Sequence, residues 1–514
     1  MKRILRATAD AYITNRIINN KFRATDANTG YGGTIDLFKL ANESTFTGSS
    51  PFVAGTTDPI ELSRALLRFD MAPLMALTTS VLNIAHSSFV CTLRLFDVMG
   101  GQTLPSNFTL ALYPLSQAFD EGIGRDVGSY QDIDAANYLT ASVSSGLAVW
   151  HTSGATATGY VGQAAIDIMT GSTVLGDLFV TQSFTTGDED LAMNVTKIVS
   201  ATLAGQLTNH GFRLSFSGTQ ETDATTRFVK RFGTRHSTNP RLRPMIEVGF
   251  NDSIQDHHND FFFDASGSLF LNSSNRAGAA NILSGSALTM ITGTNSLVVI
   301  LTSGSNASGT YFSKTITGSQ HFIGSMAVTG VYSASFALGI DASGTLKNEI
   351  QRAGSATFTE VWGSLDGTVG FFTGTLVVNA LDRSAFDNTP DSLRVMATNL
   401  KRAYRQAEKH RIRIVAHDAG FKLRSTKLPL EAKGITFDRM YYRICDVAMD
   451  EAVFDFDTTT DSTRLSTDSD GMYFDLYMSD LDPGRTYGID ILLDHMGALR
   501  IFKNVGGTFR TDAS

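Results

Sequence analysis

At 514 residues the chain exceeds what one hydrophobic core serves, and a prior of about 150 residues per domain predicts about three domains. A net charge of −8, with only 18% charged residues, argues against a general nucleic-acid binder, which needs a basic footprint. Apolar content of 42% and a mean hydropathy near zero (−0.02) point to a folded, soluble chain. Glycine is abundant (46), and Phe (34) far outnumbers Trp (2), which fits many short strands joined by glycine turns and packed through aromatic side chains.

The opening Met-Lys-Arg-Ile-Leu-Arg6 is basic but has no apolar stretch behind it, and no run of about 18 apolar residues is present. The expectation is a protein made in the cytoplasm, with no signal peptide and no membrane span. Cys91 and Cys445 lie far apart inside apolar strand patterns and share no metal-ligand spacing, so both are expected to be buried free thiols.

Along the first domain, Thr8-Ala-Asp-Ala-Tyr-Ile13 is followed by Asn28-Thr-Gly-Tyr-Gly-Gly-Thr-Ile-Asp-Leu37 and then by Ala65-Leu-Leu-Arg-Phe-Asp70. Period-two alternation in Leu93–Val98 and Phe108–Tyr113 predicts half-buried strands, with Pro105-Ser-Asn107 as the turn between them. Phe119-Asp-Glu-Gly-Ile-Gly-Arg125 follows a strand end. Residues 126–176, rich in Ala, Ser, Thr and Gly, read as a long surface excursion ending at Phe179. From Asn194 to Leu214 the reading is a strand, a turn at Gly205, a polar loop through Asn209 and Gly211, and a strand from Phe212 to Phe216. Arg243-Pro-Met-Ile-Glu-Val248 closes the domain. Leu66, Leu67, Phe69, Leu93, Leu95, Phe212 and Leu214 are expected in its core.

Composition shifts after Phe250. Between Ala265 and Gln320 the only charged residues are Arg276 and Lys314, yet apolar pulses recur at Leu269–Leu271, Leu297–Leu301 and Tyr311-Phe312. Disordered linkers lack such pulses, so a second all-β domain is predicted, with a boundary near Asp382–Pro390. The last domain holds the densest charge. Its opening, from Asp391 to Lys409, could be helical by propensity, but its β-branched start and the alternation at Ile412-Arg-Ile-Val415 favour strand–loop–strand. Met440–Val447, Gly471–Leu476, Tyr487–Leu493 and a final hairpin strand at Ala498–Phe502 complete a small fibronectin- or immunoglobulin-like sandwich. The predicted fold is therefore all-β, with tandem β-sandwich domains over 1–249, 250–390 and 391–514.

Candidate sites are few. Asp468-Ser-Asp-Gly471 could begin a calcium loop, but the twelfth position, where an EF-hand carries a bidentate acid, is Ser479, and a hairpin turn accounts for the segment. The adjacent His257 and His258 would point to opposite faces of a strand, so an interdomain linker is expected there. Asp120 and Glu121 could form a glycosidase carboxylate pair, or simply a solvated turn. No nucleophile elbow, phosphate loop, Cys-x-x-Cys or zincin motif is present, so no enzyme activity, cofactor or metal is expected.

Charge in the last domain is split. Lys401, Arg402, Arg405, Lys409, Arg411, Arg413, Lys422, Arg424, Lys427 and Lys433 precede an acidic stretch with Asp450, Asp455, Asp457, Asp461, Asp475, Asp480 and Asp482. Two readings stay open. The charges pair across strands within the domain, or they form a head-to-tail interface between copies through Arg402, Arg405, Arg411, Arg413, Asp455 and Asp457. Trp150, Tyr160, Trp362 and the tyrosines near 441 are the candidate aromatic platforms for sugar.

Taken in order, Thr8–Ile13, Asn28–Leu37, Ala65–Asp70, Asn209–Phe212 and Arg243–Val248 resemble the DNRLRE-type β-sandwich of surface and adhesive proteins over residues 8–249, with Phe119 where that family's Trp-x-Glu-Gly element has tryptophan. The opening segment, Gly330–Phe336, Tyr441–Val447, Leu465–Leu476 and Pro483–Ile489 are together similar to virion structural proteins of tailed bacteriophages. That resemblance implies a multi-copy particle component, neck, collar or tail-associated, assembled in the host cytoplasm. The implied partners are copies of itself and portal/connector, tail or fibre proteins, with no nucleic acid and no membrane. Capsid decoration, a baseplate or fibre-attachment role, and an adhesive module binding host-surface glycans are the alternatives.

Overall fold

The structure, a computed structural model, describes the chain except for residues 45–58, 99, 129–131, 133, 145, 286–287, 304–311, 340–344, 382–391, 420–433, 496 and 514. It is all-β. Among the described residues the α-helices are the short Ala72–Thr78, Thr196–Leu203 and Thr345–Ala353. None is long and apolar enough to cross a membrane. The chain packs into two compact units: Arg3–Ala76 with Phe89–Val248, and Met1–Lys2 with Leu77–Ser88 and Gly249–Ser514. The expected second boundary near Asp382–Pro390 lies outside the described residues.

In the first unit a ten-stranded sheet runs in the order Val180–Phe184, Phe108–Pro114, Phe212–Phe216, Ile60–Phe69, Lys2–Thr14, Met245–Gly249, Val90–Leu95 and Leu191–Asn194, with Thr34–Ala41 joining Ile60–Phe69 to Arg227–Gly233. The Lys2–Thr14 strand changes register between Ala7 and Ala9 as it pairs with Ile60–Phe69. Such a bulge bends a strand and lets it pair with different neighbours along its two halves. All seven core residues expected from alternation are buried: Leu66, Leu67, Phe69, Leu93, Leu95, Phe212 and Leu214.

Two expectations are overturned here. The strand expected after Asn194 is the helix Thr196–Leu203, which buries Ile198, Val199, Ala201 and Leu203. The Asn194 side chain accepts the Thr196 N–H at 3.0 Å and turns the chain out of the preceding strand. Gly205, at φ 72°, then ends the helix, and the N–H groups of Gln206 and Leu207 return to the Ala201 carbonyl. Tertiary burial thus overrides the strand preference of the β-branched run. Nor is 126–176 a mere surface excursion. Trp150, Ala155 and Ile168 pack with Ile13, Leu66, Leu115 and Phe119 in one buried cluster. The buried Asp167 carboxylate organises the segment by accepting N–H bonds from His151 (2.6 Å), Thr152 (3.0 Å) and Ala157 (3.0 Å).

In the second unit a seven-stranded sheet runs Phe261–Phe262, Gly370–Asn379, Ser355–Gly363, Leu297–Ser303, Ser313–Ile323, Met326–Ala337 and Ser266–Asn272. Its core holds Trp362, Tyr332, Phe358, Leu297, Val299, Leu301, Leu376 and Val378, together with Leu346 and Ile350 of the helix Thr345–Ala353. Further along, Leu393–Ala397, Lys409–Asp418, Gly471–Tyr477 and Ser466–Asp468 form a four-stranded sheet. A six-stranded sheet is built from Ala403–Arg405, Thr508–Asp512, Thr486–His495, Met440–Asp446 and Glu451–Phe454, with Ala498–Phe502 on the Thr486–His495 strand. Tyr442 and Phe474 stack at 4.1 Å between these two sheets. The segment after 391 is strand–loop–strand. Ala498–Phe502 is not the final strand, because Thr508–Asp512 follows and pairs with both Ala403–Arg405 and Thr486–Gly488.

Candidate functional site

The first unit brings Thr8–Ile13, Asn28–Leu37 and Phe119–Arg125 together with Arg235 at a carboxylate–guanidinium cluster. Asn28 is fully buried and fully used: its Nδ2 donates to the carbonyls of Glu121 and Ala136 at 2.7 Å each, and its Oδ1 accepts from Gly30 (3.0 Å) and Gly124 (2.8 Å). The approach is so close that a Cβ at Gly30 would lie 1.9 Å from the Glu121 carbonyl, and one at Gly124 2.0 Å from that of Asn28. Only glycine fits at either position. This clasp presents the Glu121 side chain to Arg235, whose Nε and Nη2 each reach a carboxylate oxygen at 2.5 Å, while Glu121 also accepts the Asp10 N–H at 3.0 Å. Asp10 accepts the Arg235 backbone N–H at 2.5 Å.

Burial is the largest influence on Asp10 and pushes its pKa up to about 7, opposed by the Arg235 N–H and reinforced by the Glu121 charge. A carboxyl titrating near neutrality has the acidity of a general acid, but Asp10 is fully buried and Glu121 is locked in a bidentate fork. Asp120 turns elsewhere. Against the desolvation that would raise its pKa, N–H bonds from Val143 and Ser144 and the Ser144 hydroxyl hold it low. Asp120 and Glu121 therefore serve different loops and do not converge as a glycosidase pair. On the outside of the cluster Tyr31 is exposed, 4.3 Å from the His236 ring and 5.1 Å from the Arg125 guanidinium.

In the second unit the expected linker at His257 and His258 is an ordered clamp. His258 Nδ1 lies 2.6 Å from Asp256, and its Nε2 lies 3.0 Å from the fully buried Glu360, which also receives the Trp362 indole N–H. Burial opposes the charged imidazole, but the two carboxylates prevail and raise its pKa to about 10. The backbone here is engaged too: the Asp256 carbonyl accepts the Thr467 hydroxyl at 2.8 Å, and His257 exchanges N–H and ring bonds with Ser268.

The proposed inter-subunit charges are mostly engaged within the chain. Arg411 forks onto Asp475 at 2.9 and 3.3 Å and lies 3.9 Å over the Tyr473 ring, while Lys409 reaches Asp475 at 3.0 Å. Arg413 bonds Asp468 and reaches Asp470 at 3.3 Å, so the two acids considered for calcium face a guanidinium. Among the described residues no group of three or more His, Cys, Asp or Glu side chains is placed to hold a metal. Asp457 is taken up by Thr459, Thr460 and Ser462 and by Lys2 at 3.3 Å; Asp455 is exposed, 3.8 Å from Arg443. Arg402 and Arg405 are exposed. Lys422, Arg424, Lys427 and Lys433 lie outside the described residues. Of the aromatic platforms considered for sugar, Trp150, Trp362 and Tyr441 are buried and only Tyr160 is exposed. Cys91 is buried and Cys445 half-buried, both as free thiols.

No protein-family model matches the chain, and no curated protein matches it. Among solved structures, trypsin-activated alpha-2-macroglobulin from Escherichia coli aligns over 98% of this chain and 31% of its own length, at 7% identity and a TM-score of 0.16. The native conformation of the Escherichia coli protein aligns over 98% and 29%, at 9% identity and a TM-score of 0.11. The chain thus spans under a third of the length of those proteins, and a likeness this weak carries no argument.

Proposed function

We propose that the chain is a structural component of a tailed-bacteriophage particle, associated with the neck, collar or tail and assembled in multiple symmetric copies through protein–protein contacts. One observation supports this reading above the others. Three of the segments that resemble the DNRLRE-type sandwich, Thr8–Ile13, Asn28–Leu37 and Phe119–Arg125, meet at a clasp in which Asn28 holds backbone to backbone, Arg235 forks onto Glu121, and Asp10 is buried away from any substrate. Such a site serves rigidity, as a particle component requires. A capsid decoration role fits the same observation.

An adhesive, glycan-binding module is the second reading. The burial of Trp150, Trp362 and Tyr441 weighs against it, and the exposed Tyr31 beside His236 and Arg125 is what favours it. A cryo-EM map of particles containing the chain tests the first reading: symmetric copies on the portal–tail axis are expected. Single copies scattered over the capsid lattice would remove the neck–tail placement and leave decoration. Specific binding on a glycan array, lost in Tyr31→Ala, would establish the adhesive reading instead.

A further inference from the structure

We infer that the strand Gly370–Asn379 is a self-pairing edge, through which two copies of this chain join their seven-stranded sheets antiparallel about a two-fold axis. On one side this ten-residue strand pairs along its length with Ser355–Gly363. On the other, among the described residues, it meets only Phe261–Phe262, at Val378 and Asn379. Among the described residues, the outward N–H and C=O groups of residues 370–377 therefore have no second strand. Unpaired edges of this length template the addition of another chain, and proteins normally blunt them with charge, proline, shortness or a covering segment.

Among the described residues, the other edges of the larger sheets are blunted in one of those ways. Val180–Phe184 and Leu191–Asn194 are five and four residues long. Arg227–Gly233 carries Arg227, Lys230 and Arg231. Leu393–Ala397 and Ala498–Phe502 are five residues each and carry Arg394 and Arg500. The opposite edge of the same sheet, Ser266–Asn272, is uncharged but covered: Ser268 N–H bonds the His257 ring at 3.1 Å and Phe270 N–H bonds Asp256 at 3.3 Å. Gly370–Asn379 has no charge, no proline and, among the described residues, no such cover, and residues 367–381 contain no charged side chain at all. Phe372 is exposed at 44% on this strand, where an isolated edge would favour a polar residue.

The occupant that fits is a second copy. Two copies of a chain of net charge −8 repel each other overall, and an uncharged segment is where they meet without like charges facing. A partner recognised by charge would find nothing complementary there. Antiparallel pairing of identical strands satisfies both edges at once and closes as an isologous contact. The inference rests on the multi-copy reading above and names the contact it would use.

Sedimentation velocity of the full chain from about 1 to about 100 µM tests it. A reversible dimer is expected, and Thr373→Lys with Thr375→Lys, both exposed positions, is expected to weaken it at least about tenfold with an unchanged circular dichroism spectrum. If that variant misfolds, hydrogen–deuterium exchange on the unaltered protein decides: protection of the 370–377 amides should rise with concentration. A chain monomeric throughout, a variant that dimerises as before, or exchange independent of concentration would overturn the edge pairing and leave the particle reading standing. A dimer whose chain is absent from particles would do the reverse.

Discussion

The two units bury different charges: among the described residues the first buries cations as well as acids, whereas the charged groups buried in Gly249–Ser514, such as Glu360, Asp446 and Asp490, are acids. The first buries whole cations and bonds them to groups distant in sequence. Lys230 reaches Asp97 at 2.5 Å and the carbonyls of Gly187 and Glu189 at 2.8 Å, Lys39 reaches Asp223 at 2.7 Å, and Arg64 forks onto Glu221 at 2.8 and 2.9 Å. The seven-stranded sheet of the second unit is packed with apolar and aromatic side chains, and Glu360 is the acid buried within it. Directional bonds specify which loop lies where, whereas apolar packing specifies volume and is tolerant of detail. The difference teaches that bonded, buried cations place the loops of the first unit, whereas apolar packing fills the seven-stranded sheet of the second.

Deleting one member of each kind should produce the largest effects. Trp362→Ala empties the second core and removes the indole bond to Glu360, at a cost of about 3–5 kcal/mol. Asp97→Ala leaves Lys230 charged and fully buried without its carboxylate, again about 3–5 kcal/mol. The double change Asp97→Leu with Lys230→Met separates the two principles, because replacing a buried pair by apolar groups is often neutral. Urea titrations should show the double variant far more stable than Asp97→Ala. If it is equally damaged, the bonds from Lys230 to Gly187 and Glu189 carry the stabilisation, and the contrast between the units is sharper still.

The pH dependence should separate the units as well. Asp10 has its pKa raised by burial from 3.8 to about 7, so the fold binds a proton the unfolded chain has lost. Its contribution is present below about pH 4 and is lost as pH rises through about 7. His258, raised from 6.5 to about 10 by Asp256 and Glu360 against its burial, contributes fully below about 6.5 and loses its contribution as pH rises through about 10. Melting temperatures across these windows should therefore fall in two stages. Asp10→Asn should flatten the lower stage, and Glu360→Gln the upper, the latter with a loss of about 2 kcal/mol near neutrality, the scale of a hydrogen bond to a charged group. A single stage, or Glu360→Gln altering the lower one, would break the assignment.

What was legible in the sequence follows the same division. The strand Val90–Leu95 is readable because its period-two alternation reports burial directly, while Phe108–Pro114 and Gly471–Tyr477 are readable as short apolar and aromatic runs buried on both faces for part of their length. The core around Leu66 and Phe212 came with them. The helix Thr196–Leu203 was hidden by its β-branched residues, and the Trp150–Ile168 packing by a scaffold that depends on one carboxylate, Asp167. Neither charged cluster shows in any local pattern, since Asp10 and Arg235 are 225 residues apart and His258 and Glu360 102. Glu121 stands out in the sequence only as half of a neighbouring pair; its true partner, Arg235, lies in the turn after Arg227–Gly233 with no distinguishing spacing.

The smallest expected effect concerns the charged strand Lys409–Asp418, which carries both contrasting features on one surface. Arg411 and Arg413 pair across the sheet with Asp475, Asp468 and Asp470 and lie over the Tyr473 ring, at 3.9 and 5.3 Å. Arg411 is half exposed and Asp470 largely so, which limits what each pair contributes to about 1 kcal/mol or less. Asp475 is the exception in burial: desolvation alone would raise its pKa, and the Arg411 and Lys409 charges hold it below the usual carboxylate range. Arg411→Glu with Arg413→Glu places like charges against three acids, and should lower the melting temperature of the isolated protein by a few degrees in low salt, less in high salt. An unchanged melting temperature with impaired incorporation into particles would instead assign these arginines to contacts between subunits. The chain could then use its charged strand and its uncharged edge at different interfaces, one sensitive to ionic strength and the other not.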